Sequence, residues 1–159
     1  MDWKKLFLDA NGRIGQKDFW IGFLILFVAN IVLNFIPVIG QIAQLVLIYA
    51  GICLMSKRLH DMGKSGWLAA VPYGLMAIAM VLTILTVFGV MAASGAAQYG
   101  APASGMGAVA AAGMAGMVMI IAGLVSLAFL LWVGLSKGDA GENQYGPAPT
   151  SLIGGATPA

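Results

Sequence analysis

The chain has 159 residues, of which 60% are hydrophobic and only 9% are charged. Soluble domains carry about 25% charged residues, so eight Lys/Arg and six Asp/Glu cannot cover a soluble fold with this much apolar surface. The net charge of +2 also lacks the dense basic face of a nucleic-acid-binding domain. The composition therefore excludes a soluble enzyme, a disordered chain and a nucleic-acid-binding domain, and it predicts an integral membrane protein.

The charged residues fall into three short blocks, within residues 2–18, 57–64 and 137–142. The uncharged tracts between them, residues 19–56 and 65–136, are each long enough for two helical crossings of a roughly 30 Å hydrocarbon layer. No segment alternates with the period of a barrel strand. We therefore predict an all-α integral membrane protein with four transmembrane helices and a short amphipathic interfacial helix at the N-terminus.

The amino-terminal segment places apolar side chains at helical spacing, with charged side chains between them. These apolar residues are Trp3, Leu6, Phe7 and Ala10. The pattern predicts a short helix at the membrane surface, and a frayed leader is the alternative. We expect Asp18 to cap the first span and Trp20 to lie at the level of the headgroups.

The four spans are predicted near residues 19–35, 40–60, 67–91 and 112–135. Pro37 divides the first tract, and Pro72 is expected to kink the first turns of the third span or to be accommodated by a neighbouring helix. Residues 92–112, rich in Ala, Gly and Ser, are interpreted as a weakly structured connector. We expect one membrane domain over residues 1–147 and a disordered tail over residues 148–159.

The charges also predict an orientation. Four spans place the N-terminus, the 57–64 loop and the C-terminal segment on one side of the membrane, and all eight Lys/Arg lie in these three pieces. The positive-inside rule makes that side cytoplasmic. The expected arrangement crosses the membrane several times, with both termini in the cytoplasm.

The segment from Lys57 to Trp67 is the most informative one. Gly63 is predicted to end the second span in the left-handed conformation, and Ser65 to cap the next helix. One interpretation is a well-capped hairpin with an ion pair between Arg58 and Asp61. Another is a site for an anionic headgroup or ligand, formed by Arg58, His60 and Lys64. Catalysis by a His60–Asp61 pair is a third, disfavoured because adjacent helical residues point about 100° apart.

The two uncharged tracts, residues 19–56 and 65–136, contain no Asp, Glu, Lys, Arg or His, which argues against an ion-coupled carrier. Ala108, Ala112 and Gly116 repeat every four residues, a spacing that allows close helix packing within the chain or between copies. No residue group indicates a metal or a cofactor. Cys53 has no second cysteine to pair with, and Met114, Met117 and Met119 are interpreted as helix-filling side chains.

Three motifs carry a resemblance to a known family. They are Gly12-Arg13-Ile14 with Phe19-Trp20, then Lys57-Arg58-Leu59-His60-Asp61 with Ser65-Gly66-Trp67, and Gly141-Glu142-Asn143-Gln144-Tyr145-Gly146-Pro147. Together they resemble the YhaH/YhaI-like family of small bacterial inner-membrane proteins, domain of unknown function 805, over about residues 1–150. The resemblance implies an inner-membrane location and several helices, and no established activity.

All three motifs lie on the cytoplasmic side of the four-span arrangement, so we expect their polar and aromatic residues to form one interfacial cluster. Its members are Arg13, Trp20, Arg58, His60, Asp61, Trp67, Glu142, Asn143 and Tyr145. Arg58 is expected to pair with Asp61 or Glu142, while the other cations face anionic headgroups.

The function expected first is that of a non-enzymatic accessory, scaffold or lipid-interacting membrane protein. Its expected partners are membrane lipids with anionic headgroups, and a second copy or another membrane protein. The alternative is a small oligomeric transporter or permeation unit with its cytoplasmic gate at the 57–67 hairpin. An intramembrane enzyme ranks third.

Overall fold

The computed structural model describes residues 3–99 and 105–149. The regular secondary structure of these residues is helical, with no strand beyond an antiparallel bridge between Asn143 and Gly146. The helices are α1 (Trp3–Phe7), α2 (Gln16–Asn34), α3 (Ile39–Asp61), α4 (Ala70–Gln98) and α5 (Gly105–Leu135). A short 3₁₀ turn, Gly66–Ala69, precedes α4.

Four helical segments are long and apolar enough to cross a membrane. They are Gln16–Asn34, Ile39–Asp61, Gly66–Gly95 and Val109–Leu135, with mean hydropathy between 1.5 and 2.6. Each has at least 19 residues, close to the number that a helix needs to span the hydrocarbon layer. The predicted all-α fold with four membrane-spanning helices is confirmed.

The described residues form two compact units. One unit comprises residues 3–70 and 131–149, and the other comprises residues 71–130. The prediction of a single membrane domain stays a prediction. Most of the predicted C-terminal tail, residues 150–159, lies outside the described residues.

In the first unit, α2 and α3 pack against each other as a helical hairpin. They are joined by a γ-turn in which the Ile39 amide donates to the Pro37 carbonyl at 2.7 Å and Val38 has a φ of +63°. A Cβ at Gly40 would meet the Leu33 carbonyl, so glycine permits the close approach of α2 and α3 at this turn. The predicted division of the first tract at Pro37 is confirmed.

Helix α1 packs against α3, and its last turn is held by two side chains of that helix. Lys57 donates to the Lys5 carbonyl, and the Tyr49 hydroxyl donates to the Leu8 carbonyl at 3.4 Å. These bonds satisfy carbonyls that a helix end leaves without internal partners. The helix ends at Phe7, earlier than the Trp3 to Ala10 pattern predicts, and its placement at a membrane surface stays a prediction.

Two helix starts differ from the prediction. Gly15, not Asp18, is the N-cap of α2, and Asp18 lies buried in the first turn, where its charge faces the positive helix end. Pro72 lies in the first turn of α4 because that helix begins at Ala70. Its missing N–H falls where the 3₁₀ segment Gly66–Ala69 passes into α4, and the expected kink stays a prediction.

The second unit is formed by α4 and α5, and both continue into the predicted connector. Residues 92–98 and 105–112 are helical, which corrects the weakly structured connector over 92–112. Alanine is the strongest helix former, and the scattered glycines cost only about 1 kcal/mol each. Residues 100–104 lie outside the described part.

Three glycines in the middle of α5 do not bring helices into close contact. A Cβ added at Gly113, Gly116 or Gly123 would have no atom within 4 Å. An apolar groove of about 350 Å³ lies between α4 and α5, lined among others by Thr86, Ala112 and Met119. The spacing of small residues is therefore not used for tight packing at those three glycines.

Candidate functional site

Helix α3 ends at a glycine turn that follows its last, charged turn. Gly63 has a φ of +65°, its amide donates to the His60 carbonyl at 3.0 Å, and the Lys64 amide donates to the Leu59 carbonyl at 2.9 Å. This is the Schellman arrangement of a helix end, and it confirms the prediction for Gly63. The Ser65 side chain then accepts from the Trp67 amide at 3.4 Å, which confirms the predicted cap.

The Arg58 guanidinium is the centre of this end of the unit, and only 1% of the residue is exposed. It donates to the Val133 carbonyl at 3.2 Å, to the Ile14 carbonyl at 3.4 Å and to the Ser136 carbonyl. Helix α5 has no basic residue in its last turn, so Arg58 supplies a cation to the negative end of a different helix. It thereby joins the segment before α2, the end of α3 and the end of α5.

Arg13 is the second buried arginine, with 8% of its surface exposed. Its Nη2 donates to the Asp139 carbonyl at 2.5 Å, and its Nη1 donates to the Gly141 carbonyl at 2.6 Å and the Gly146 carbonyl at 3.1 Å. The polar segment after α5, residues 138–146, thus folds around one guanidinium, and we call this segment the strap. The Asp139 amide also donates to the Asp61 carbonyl at 2.7 Å.

Asp61 lies between the two arginines and is 3% exposed. Its Oδ1 accepts from Arg13 at 3.0 and 3.1 Å, and its Oδ2 accepts from Arg58. One carboxylate therefore serves two buried cations. Removing one member of a buried charge pair typically costs about 3–5 kcal/mol, because the other charge is left buried.

His60 contacts several backbone and side-chain groups around this carboxylate. Its Nδ1 lies 3.1 Å from the Gly12 carbonyl, its Nε2 lies 3.5 Å from the Ser56 hydroxyl, and its ring stacks on Tyr145 with 3.9 Å between the centroids. Asn143 donates to the His60 carbonyl at 2.9 Å. The hydrogen bonds of the Asp61 carboxylate go to arginines, so the structure does not form a His60–Asp61 pair.

Trp20 lies next to the end of α5. Its indole N–H donates to the Gly134 carbonyl at 3.1 Å, and its ring makes edge contacts with Phe19 and Phe23. A Cβ at Gly134 would come within 2.5 Å of the Trp20 ring. This bond adds a second link between α2 and the helix end that Arg58 caps.

The nine residues of the predicted cluster are not all brought together. The structure connects seven of them through the contacts above: Arg13, Trp20, Arg58, His60, Asp61, Asn143 and Tyr145. Trp67 is 85% exposed on the 3₁₀ turn, and Glu142 is an exposed residue of the strap. Arg58 pairs with Asp61, as one expectation had it, and not with Glu142.

Arg58, one of the three residues of the alternative site for an anionic headgroup, is buried, and so are Arg13 and Lys57. Binding of headgroups at this end of the unit stays a prediction. Lys64 is exposed and lies over the Trp132 ring, 5.5 Å from its centroid. The exposed lysines at this end of the first unit are Lys4, Lys5, Lys17, Lys64 and Lys137.

Sequence reasoning missed residues that act through their backbone. Asp139, Gly141, Gly146, Val133 and Ser136 contribute carbonyl oxygens to the two arginines. A main-chain acceptor has no residue preference, so no motif marks it. The one available signal was the turn-rich composition of the strap, which is unusual for a segment that serves only as a linker.

These features define a class: a multi-pass helical membrane protein with a buried ionic cluster at the ends of its helices. A family model described as protein of unknown function (DUF805) matches residues 7–101, more than half of the chain. The chain belongs to this family. The match contains the Arg13 and Arg58 motifs and does not reach the strap, and neither the curated proteins nor the solved structures give a match.

Proposed function

We propose that the chain is a non-enzymatic accessory or scaffold protein of a bacterial inner membrane, whose helix-end face binds anionic lipid headgroups. In this proposal both termini and the 57–67 hairpin lie in the cytoplasm. The observation that carries it is a division of the eight cations: Arg13, Arg58 and Lys57 are buried and make internal hydrogen bonds, and the other five lysines are exposed.

The exposed lysines are spread over several elements that the arginines join. Lys4 and Lys5 lie on α1, Lys17 lies in the first turn of α2, and Lys64 and Lys137 follow α3 and α5. A lysine close to an anionic membrane surface contributes about 1 kcal/mol of attraction. The exposed Trp67 and the half-exposed Trp132 are amphipathic side chains of the kind enriched at the headgroup level.

In this proposal His60 has a structural role. Its contacts join the segment before α2 and the strap to the end of α3. The His60 ring lies between the Tyr145 ring, the Gly12 carbonyl and the Ser56 hydroxyl, and the neighbouring carboxylate is bound to arginine. The three groups around the ring are consistent with a structural role for His60.

Lipid preference is testable through the four tryptophans of the chain. The protein is reconstituted in bilayers that contain brominated phosphatidylglycerol or brominated phosphatidylcholine, and quenching of tryptophan fluorescence gives the relative association constant of the two lipids. We expect phosphatidylglycerol to bind more tightly. Because about 1 kcal/mol corresponds to about fivefold in affinity, replacing Lys64 and Lys137 by Gln should reduce the preference about tenfold or more.

Thr86→Ala is the matched control, since its hydroxyl bonds only to the Leu82 carbonyl of its own helix and no charge changes. Equal association constants for the two lipids in the wild-type protein would contradict the proposal. Solute flux through proteoliposomes would favour the transporter or permeation alternative. A turnover that His60→Ala abolishes would favour an enzyme.

A further inference from the structure

The strap is held on the helix-end face by contacts that are distributed along its length. Arg13 binds three of its carbonyl oxygens, Asn143 donates to the His60 carbonyl, and the Tyr145 ring stacks on His60. Gln144 reaches the Gly63 carbonyl at 3.5 Å. The strap is thus docked mainly by backbone acceptors and one ring stack, with no ion pair to the face among the described residues.

Docking of the strap removes one cation from the surface. The Nη1 of Arg13 donates to the strap, through Gly141 and Gly146, whereas Nε donates to Asp61 and Nη2 donates to both Asp61 and the strap. Three carbonyl oxygens lie within 3.1 Å of this guanidinium. Guanidinium groups bind phosphate oxygens through the same N–H donors, so the strap occupies donors suited to a phosphate.

The strap also adds negative charge to a cationic face. Asp139 and Glu142 are both exposed, and they are the only acidic residues of the strap. The Asp139 carboxylate accepts from Asn143 at 2.8 Å. Glu142 is exposed and has no hydrogen bond or ion pair within residues 3–99 and 105–149, so no group in that part of the chain neutralises its charge.

We infer that the strap is a self-inhibitory cover of the headgroup-binding face. When docked, it withholds Arg13 and presents two carboxylates toward the membrane surface. When released, it gives the free N–H groups of Arg13 to a lipid phosphate and removes the two acidic groups. This inference rests on the proposed function, because it concerns the regulation of the same face.

The test combines hydrogen exchange of the strap amides with the brominated-lipid assay on the full chain. The double variant Asn143→Ala with Tyr145→Ala removes the amide bond and the ring stack, and Tyr145→Phe keeps the stack as its control. We expect the strap amides of the double variant to exchange at least about tenfold faster. The association constant for phosphatidylglycerol should rise about fivefold for each charge unmasked or removed.

A second variant separates the effect of the acidic charge on the strap from the effect of releasing the strap. Glu142→Gln should raise the association constant about fivefold and leave exchange of the strap amides unchanged. Soluble glycerol phosphate should not compete at concentrations equal to those of the lipid, since the occupant is a membrane headgroup.

The outcomes divide as follows. Faster exchange with unchanged or weaker lipid binding would overturn the inference, and so would unchanged exchange in the double variant, because the strap would then not be a removable cover. A wild-type protein without lipid preference contradicts the proposed function, whereas the difference between variants tests the strap. Circular dichroism of each variant identifies any loss of helix.

Discussion

The Arg13 guanidinium donates to the Asp61 carboxylate from two nitrogens, Nε at 3.1 Å and Nη2 at 3.0 Å, although the residues are 48 positions apart. The same carboxylate accepts from Arg58 three residues before it on α3. The ion pair at the end of α3 is thereby connected, through Arg13, to the segment before α2 and to the strap after α5. Asp61 is the acidic group on which both buried arginines depend.

Asp61→Asn should destabilise the protein by about 3–5 kcal/mol, because it leaves two guanidinium groups buried with a neutral partner. Thermal unfolding in detergent, followed by circular dichroism, measures the effect. Asp9→Asn is the control, as Asp9 is exposed and its carboxylate contacts the nearby Asn11 amide. Equal melting temperatures for the two variants would show that the Asp61 charge is not needed.

Arg58→Lys should loosen the last turn of α5 while it preserves the charge. An ammonium group has no planar fork, so it cannot reach the Val133, Ile14 and Ser136 carbonyls together. Each hydrogen bond lost to a charged donor costs about 1.5–3 kcal/mol. Hydrogen exchange should accelerate at residues 133–137, whereas Lys137→Arg, at an exposed position, should leave it unchanged.

Gly138→Ala should separate the strap from α3. A Cβ at this position would run into the Asp61 carboxylate, which is fixed by its arginines. Gly141→Ala is a matched control in the same segment, since a Cβ there would have no atom within 4 Å. We expect a lower melting temperature and faster exchange of the strap amides for Gly138→Ala only. If both variants behave like the wild type, the strap does not approach Asp61 so closely.

Much of the fold follows from local sequence patterns. Charge-free tracts bounded by ionic blocks predict the spans, and Gly63 and Ser65 predict the end of α3 and the turn before α4 because capping depends on a few adjacent residues. Residues 92–98 and 105–112 were predicted to be weakly structured and are helical, because the helix propensity of alanine compensates for the glycines. Pro37 predicted the break between α2 and α3, which the structure forms as a γ-turn.

The site is less predictable than the fold. The Arg58–Asp61 pair follows from helical spacing, whereas the Arg13–Asp61 pair depends on how two distant segments pack. Arg58 was expected to pair with Asp61 or Glu142, and a headgroup site that includes Arg58 was the alternative interpretation. The burial of Arg58 results from carbonyl groups of three segments converging on it, and no side-chain pattern records their positions.

Cysteine accessibility in intact cells tests most directly the claim that the charged helix ends face the cytoplasm. In a Cys53→Ala background, which removes the one native cysteine, Tyr99→Cys and Lys64→Cys are treated with a membrane-impermeant maleimide. Both positions are exposed, with Tyr99 at 93%. Four spans predict labelling at position 99 and none at position 64 until the cells are opened. Labelling at 64 with protection at 99 would contradict the orientation and place the lysines on the opposite leaflet.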